Sequence, residues 1–184
     1  MQGLIIQLPL SDPSHTDFIT ALVASEKDVD GLGPNACYSS ATAIAINWLL
    51  AGYNIELKGK KIVIIGNGRL VGQPLQAMWQ AASYNVVVLD ANTENLATEL
   101  SQAEIIVSAT GVAGLVKTNM IPIGAVVVDA GVASEKGKTV GDVDPEAYTR
   151  HDLTITPQKG GVGPLTVAAL FDNVLRASLS LIHI

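Results

Sequence analysis

A single cysteine, Cys37, among 184 residues excludes an intrachain disulfide and any zinc site built on thiolates, and suits a reducing cytosol. The three histidines, His15, His151 and His183, are scattered without ligand spacing. Each is expected at the surface, and no metal is assigned. Basic residues are scarce: 11 Lys and Arg against 17 Asp and Glu leave a net charge of −6, which argues against a nucleic-acid partner. Lys58, Lys60 and Lys61 precede an apolar run and read as a solvated turn. The longest apolar stretch, Ala41 to Ala51, is broken by Thr42 and Asn47 and is too short to cross a bilayer. The chain start lacks the charged segment of a signal peptide, so a cytoplasmic protein without membrane attachment is expected. With charged residues at 15% and hydrophobic residues at 48%, disorder is excluded. One large domain, or one domain plus part of another, fits the length.

What the chain does have is glycine in particular places. Residues 58 to 74 join the β-branched run Ile62 to Ile65 to Gly66, Gly68 and Gly72, with Pro74 just beyond. A central parallel strand, a tight turn and a helix start follow from that order. Gly66 and Gly68 allow close backbone approach, Gly72 lets helix pack on strand, and Pro74 lacks only a donor that is free in a first turn. Such a turn directs N–H groups and the positive end of a helix at a pyrophosphate. The spacing Gly-x-Gly-x-x-x-Gly is one residue longer than the commonest dinucleotide form, and glycine turns also occur without ligands. A second apolar strand, Val86 to Leu89, ends in Asp90, 18 residues after Gly72, where an acid for ribose hydroxyls belongs.

Along the chain, strands and helices alternate, predicting an α/β fold with a Rossmann-like parallel sheet covered on both faces. Expected elements are a strand Leu4 to Leu8 and a helix Thr16 to Ala24 with Phe18, Ile19, Leu22 and Val23 on its apolar side. A Gly/Pro loop from Asp28 to Pro34 and a helix Thr42 to Ala51 follow, the latter placing Trp48 and Leu49 in the core. Beyond the nucleotide turn come a helix to Ala82, the strand at Val86, and a polar helix Thr93 to Gln102. Strands at Glu104 to Ala109, Ala125 to Asp129 and Leu153 to Thr156 precede an amphipathic helix Leu165 to Leu179. Just before it, Thr156 to Thr166 holds Gly160, Gly161 and Gly163, a density that suits ligand approach or an irregular loop alone.

Four ordered blocks carry a resemblance: Gln7-Leu8-Pro9-Leu10, Glu26-Lys27-Asp28-Val29-Asp30-Gly31, Gly66 to Pro74, and Thr156 to Thr166, with lesser echoes at Val128 to Gly131 and Val140 to Asp144. Over almost its whole length the chain resembles the bifunctional methylenetetrahydrofolate dehydrogenase/methenyltetrahydrofolate cyclohydrolases. The resemblance implies a nucleotide domain facing a folate domain across a cleft. Residues 1–50 would be the remainder of the folate domain, 51–154 the NAD(P) domain, and 155–184 the folate loop and returning helix. It also implies hydride transfer from 5,10-methylenetetrahydrofolate to a nicotinamide, hydrolysis of the product to 10-formyltetrahydrofolate, and a homodimer formed through the nucleotide domain.

Roles carry over residue by residue. Gln7 matches the glutamine that orients the catalytic lysine and the folate, and Asp30 matches the acid that holds the pterin through its N–H groups. Leu8, Pro9, Pro157, Gly160, Gly161 and Val162 match the folate side. Thr42, Gly66, Gly68, Arg69, Leu70, Val71, Gly72, Asp90, Thr110, Gly111 and Gly131 match the cofactor side. Ser40-Ala41-Thr42-Ala43 departs from the family's usual Pro-Cys-Thr-Pro, and the loop from Asp30 to Ser40 is shorter than usual. No Tyr-x-x-x-Lys occurs anywhere in the sequence, so the family's acid/base lysine and its stacking tyrosine have no counterpart. Lys159, in the folate loop, is a local candidate to replace that lysine. A truncated gene product, or a reduced member completed by a partner, is the expectation that follows.

Asp90 suits free ribose hydroxyls and repels a 2′-phosphate, which favours NAD; the family's habit of using NADP, and Arg69 as a phosphate partner, favour NADP. Three functions stay open: the folate enzyme, a nucleotide- or folate-binding module without turnover, and an unrelated Rossmann dehydrogenase. Asp28 to Gly31 and Gly160 to Pro164 speak against the third, since a dinucleotide requires neither.

Overall fold

The computed structural model describes residues 1–135 and 138–180; His183 lies outside them. In chain order the principal elements are α1 (Thr16–Ala21), α2 (Ala41–Gly52), β1 (Lys61–Ile65), α3 (Gly72–Ala81), β2 (Asn85–Leu89), α4 (Leu96–Leu100) and β3 (Ile105–Ser108). They continue with β4 (Val126–Asp129), β5 (Ala133–Glu135), β6 (Lys138–Val140), β7 (Thr154–Ile155) and α5 (Val162–Ser180). Five strands form a sheet in the order β2-β1-β3-β4-β7, every pairing parallel, and β5 and β6 make a separate antiparallel pair. This is an α/β, Rossmann-like architecture.

The β-branched runs dictate this sheet because parallel strands covered on both faces must be apolar at every position. Ile62 and Ile64, with Ile105, Val107 and Val128, face Leu75 and Trp79 of α3 and Ile46 and Leu50 of α2. Val63 and Ile65, with Ile106 and Val127, point the other way, toward Leu100, Val116 and Ile121. β1 lies second from one edge, between β2 and β3, and the chain leaves it first for β2 on one side and then for β3 on the other. Ligands of open α/β sheets bind where the strand order reverses in this way, beyond the carboxyl ends of the strands.

Four expected elements differ. Leu4 to Leu8 forms no strand; a lone bridge from Leu4 to Asp28 replaces it. The first helix stops at Ala21, and its expected apolar side is split: Ile19 and Val23 are partly buried, while Phe18 is 66% and Leu22 68% exposed. Thr20 is its buried residue. The polar helix shrinks to α4 because Asp90 and Thr93 close a turn and Asn95 adopts φ 60. The final helix begins at Val162, taking Gly163 and Pro164 into its first turn, where proline costs no hydrogen bond. Trp48 is 38% exposed, and Trp79, donating from Nε1 to Asn47 Oδ1 at 3.2 Å, is the core tryptophan instead.

Candidate active site

Gly66 closes β1 with φ +101, and its N–H reaches Leu89 O of β2 at 2.8 Å while Ala109 N–H returns to Ile65 O at 2.8 Å. A Cβ on Gly66 would lie 2.5 Å from Ala109 O, and one on Gly72 would lie 1.9 Å from Gly66 O. Both positions therefore exclude side chains. Gly68 is different: a Cβ there meets nothing within 4 Å, because the turn opens onto a cleft. Part of the first turn of α3 is already engaged, since Gln73 N–H donates to Gly68 O at 3.0 Å and Pro74 has no N–H.

The cleft has a volume of about 1210 Å³ and is lined by Gly68, Arg69, Leu70 and Val71 from the first turn, Thr110 and Gly111 after β3, and Gly131 after β4. Pro157, Gly160, Gly161 and Val162 of the loop before α5 close its far side, together with Lys159. Gly66, Gly72 and Asp90 lie outside that lining. Asp90 is exposed, its Oδ1 accepting from Asn92 N–H at 2.9 Å. Arg69 is ion-paired with Asp17 of α1 and donates to Thr20 Oγ1 at 3.2 Å.

A second cavity of about 160 Å³ is lined by Gln7, Leu8, Asp30, Ser40, Thr42 and Leu70. Pro9 is outside it. Thr42 and Leu70 line both cavities, so the small pocket and the cleft meet there. Asp30 is presented by a loop that Asp28 shapes. The buried Asp28 carboxylate accepts from Gly31 N–H at 3.0 Å and Gly33 N–H at 2.6 Å, and Gly31 sits at φ +70. Burial, and then the charge of Asp28, push the Asp30 carboxyl above the usual carboxylate range.

Several residues of the site carry no local sequence signal of their role. Ser40, 3% exposed, donates from Oγ to Leu70 O at 2.8 Å and fastens α2 to the first turn. Asn173, in the middle of α5, donates from Nδ2 to Val29 O and Ser39 O at 2.8 and 3.0 Å, fixing both ends of the Asp30 loop. Asp129 accepts from Gly131 N–H, Asp142 N–H, Val143 N–H and Tyr148 OH. Burial and that carboxylate push the Tyr148 phenol upward. An acid closing an apolar strand, the pattern that singled out Asp90, also marks Asp129. Cys37 is exposed, no cluster of His, Cys, Asp and Glu suited to a metal occurs among the described residues, and no described helix is long and apolar enough to cross a membrane.

Residues 40–181 match the tetrahydrofolate dehydrogenase/cyclohydrolase NAD(P)-binding domain family. The bifunctional protein FolD of Aquifex aeolicus is 39% identical over 189 residues, which are 96% of this chain and 64% of the relative. That of Lactobacillus acidophilus is 42% identical over 185 residues, 96% of this chain and 65% of the relative. The chain thus spans somewhat less than two thirds of these relatives. Among solved structures, the FolD methylenetetrahydrofolate dehydrogenase/cyclohydrolase of Campylobacter jejuni superposes with a TM-score of 0.90 at 36% identity, covering 97% of this chain and 67% of that one. The Trypanosoma brucei enzyme, solved with NADP cofactor and inhibitor, gives 0.88 at 31% identity, covering 100% and 68%.

Proposed function

The chain belongs to the tetrahydrofolate dehydrogenase/cyclohydrolase family, and from that premise we propose that it oxidises 5,10-methylenetetrahydrofolate with a nicotinamide dinucleotide and takes part in hydrolysing the product to 10-formyltetrahydrofolate. One observation carries this reading: the Asp30 pocket and the switch-point cleft share Thr42 and Leu70. Two ligands seated in the two spaces would meet there, and hydride transfer needs reacting atoms about 3–3.5 Å apart. A bound nicotinamide would accept the hydride. The cleft suits such a group: Gly68 presents bare backbone to it, and it lies at the reversal of strand order.

In this reading Asp30 accepts the pterin N–H groups, Gln7 orients the folate, and Leu8, Pro9 and the loop Pro157, Gly160, Gly161 and Val162 enclose it. Gly66 to Gly72, Thr110, Gly111 and Gly131 hold the dinucleotide. Residues 51–154 form the nucleotide domain, and residues 1–50 and 155–184 contribute to the folate domain. NAD is the preferred cofactor on the strength of Asp90, and the Asp17 partner of Arg69 supports it by occupying the cation a 2′-phosphate would need. A cytoplasmic homodimer completes the proposal.

A second reading, binding without turnover, is favoured by the residues around Asp30. None of the described side chains lining that pocket is a lysine, so proton transfer to or from bound folate has no nitrogen base there. Absorbance-monitored reduction of NAD⁺ and NADP⁺ by the purified chain with 5,10-methylenetetrahydrofolate separates the two. Turnover supports the enzyme, and nucleotide binding without turnover supports the module. Asp30→Ala is expected to abolish folate binding and spare nucleotide binding; equal loss of both would count against the assigned roles.

A further inference from the structure

Asp142 is the most enclosed carboxylate of the molecule's described part, with 0% exposure, and it stands directly behind the cleft wall. Its Oδ2 accepts from Ser108 Oγ at 2.8 Å and from Thr110 N–H at 2.6 Å. Ser108 ends β3 and Thr110 lines the cleft. Its Oδ1 has no hydrogen-bond partner among the described residues. Both side-chain contacts of the acid are thus made by Oδ2, and both run to the end of β3 and the loop after it.

The surroundings show what the acid holds together. Asp142 and Asp129 are crossed over two glycines. A Cβ on Gly131 would lie 2.0 Å from the Asp142 carboxylate, and a Cβ on Gly141 would lie 2.0 Å from that of Asp129. Each carboxylate thus occupies the space left by the glycine on the other strand end, and Asp142 N–H donates to Asp129 Oδ1 at 3.0 Å. Gly131 and Gly141 are the two feet of the β5–β6 pair, and both line the cleft. The crossed pair therefore ties three segments into one wall: the loop after β3, the loop after β4 and the exit from β6.

We propose that Asp142 is a positioning residue for the dinucleotide. By holding Thr110 N–H against the feet of the β5–β6 pair, it sets the width of the cleft across the topological switch point. The inference rests on the nucleotide reading of the cleft. Charge-assisted bonds such as those to Ser108 and Thr110 are roughly twice as strong as neutral ones, so an amide of the same shape should leave the wall assembled but looser.

The test is calorimetric titration of the full chain with NAD⁺ and NADP⁺, done well below each variant's melting temperature. Asp142→Asn is expected to weaken the preferred dinucleotide about five- to tenfold, and Ser108→Ala to weaken it in the same direction. Leu100→Ala, which opens the core on the α4 face of the sheet and lies outside the cleft lining, is expected to lower the melting temperature and leave affinity unchanged; this separates positioning from stability. Should Asp142→Asn fail to fold, Ser108→Ala carries the test alone. Unchanged affinity in a folded Asp142→Asn or Ser108→Ala protein overturns the clamp while leaving the nucleotide reading intact. Failure of the unaltered chain to bind either dinucleotide overturns both.

Discussion

Gly72 and Asp30 illustrate how single residues set the two halves of the site. Gly72 has no room for a methyl group, because Gly66 O would sit 1.9 Å from it. Gly72→Ala is expected to cost about 2–4 kcal/mol in denaturant unfolding; a stability within 0.5 kcal/mol or so of the parent would show that the turn relaxes freely. Asp30 binds its proton more tightly in the folded state than in the unfolded chain, owing to burial and to Asp28. The folded state therefore gains protons first as pH falls, and stability declines as pH rises through the raised pKa. Asp30→Asn is expected to raise the melting temperature at pH 7, with the gain shrinking as pH falls through the raised pKa and gone below the unfolded chain's value of about 4. A gain independent of pH contradicts this. Both residues were legible in the sequence, Gly72 from the turn pattern and Asp30 from the family block. Asn173 and Ser40 were not, and Asp142, though inside the block Val140 to Asp144, carried no sign of its role. Their partners are backbone groups or side chains more than 25 positions away, and no periodicity marks such a contact.

At the scale of elements, strands and the longer helices followed from composition because burial on both faces demands unbroken β-branched runs. The runs around Ile62, Val86, Ile105 and Val126 all became sheet. The run Leu4 to Leu8 did not, since a strand needs a neighbour and only Asp28 is offered to it. The segment around α1 carried apolar residues at helical spacing, but Phe18 and Leu22 are about two-thirds exposed. Helix α5 packs along α2 through Val162, Ala169, Asn173 and Ala177 and leaves Val167, Phe171, Leu175 and Leu179 on the outside. Asn173 is the element's one polar anchor in that buried stripe. Asn173→Ala strands the buried Val29 carbonyl and frees the partly buried Ser39 carbonyl, and is expected to cost about 1–3 kcal/mol, with Asp30-dependent folate binding falling more than nucleotide binding. A loss of stability alone, with folate affinity intact, would assign Asn173 to the fold only.

For the whole molecule, the decisive feature is the departure of the chain from β1 to both sides of the sheet. That reversal places the Gly66 turn beside the loop after β3, and it brings the loop before α5 across from both. Glycine spacing pointed to the Gly66 turn and the loop before α5, and the family resemblance to Thr110 and Gly111; the topology places all three around one volume. The central claim is that this volume is a dinucleotide site. Calorimetric titration of NAD⁺ and NADP⁺ into the folded chain, beside Gly68→Leu, tests it most directly. Gly68 has open space where a side chain would go, so this variant should fold and yet obstruct the cleft. Saturable one-site binding that Gly68→Leu abolishes is the predicted result. A folded chain that binds neither dinucleotide, or one whose binding Gly68→Leu leaves untouched, would contradict the account.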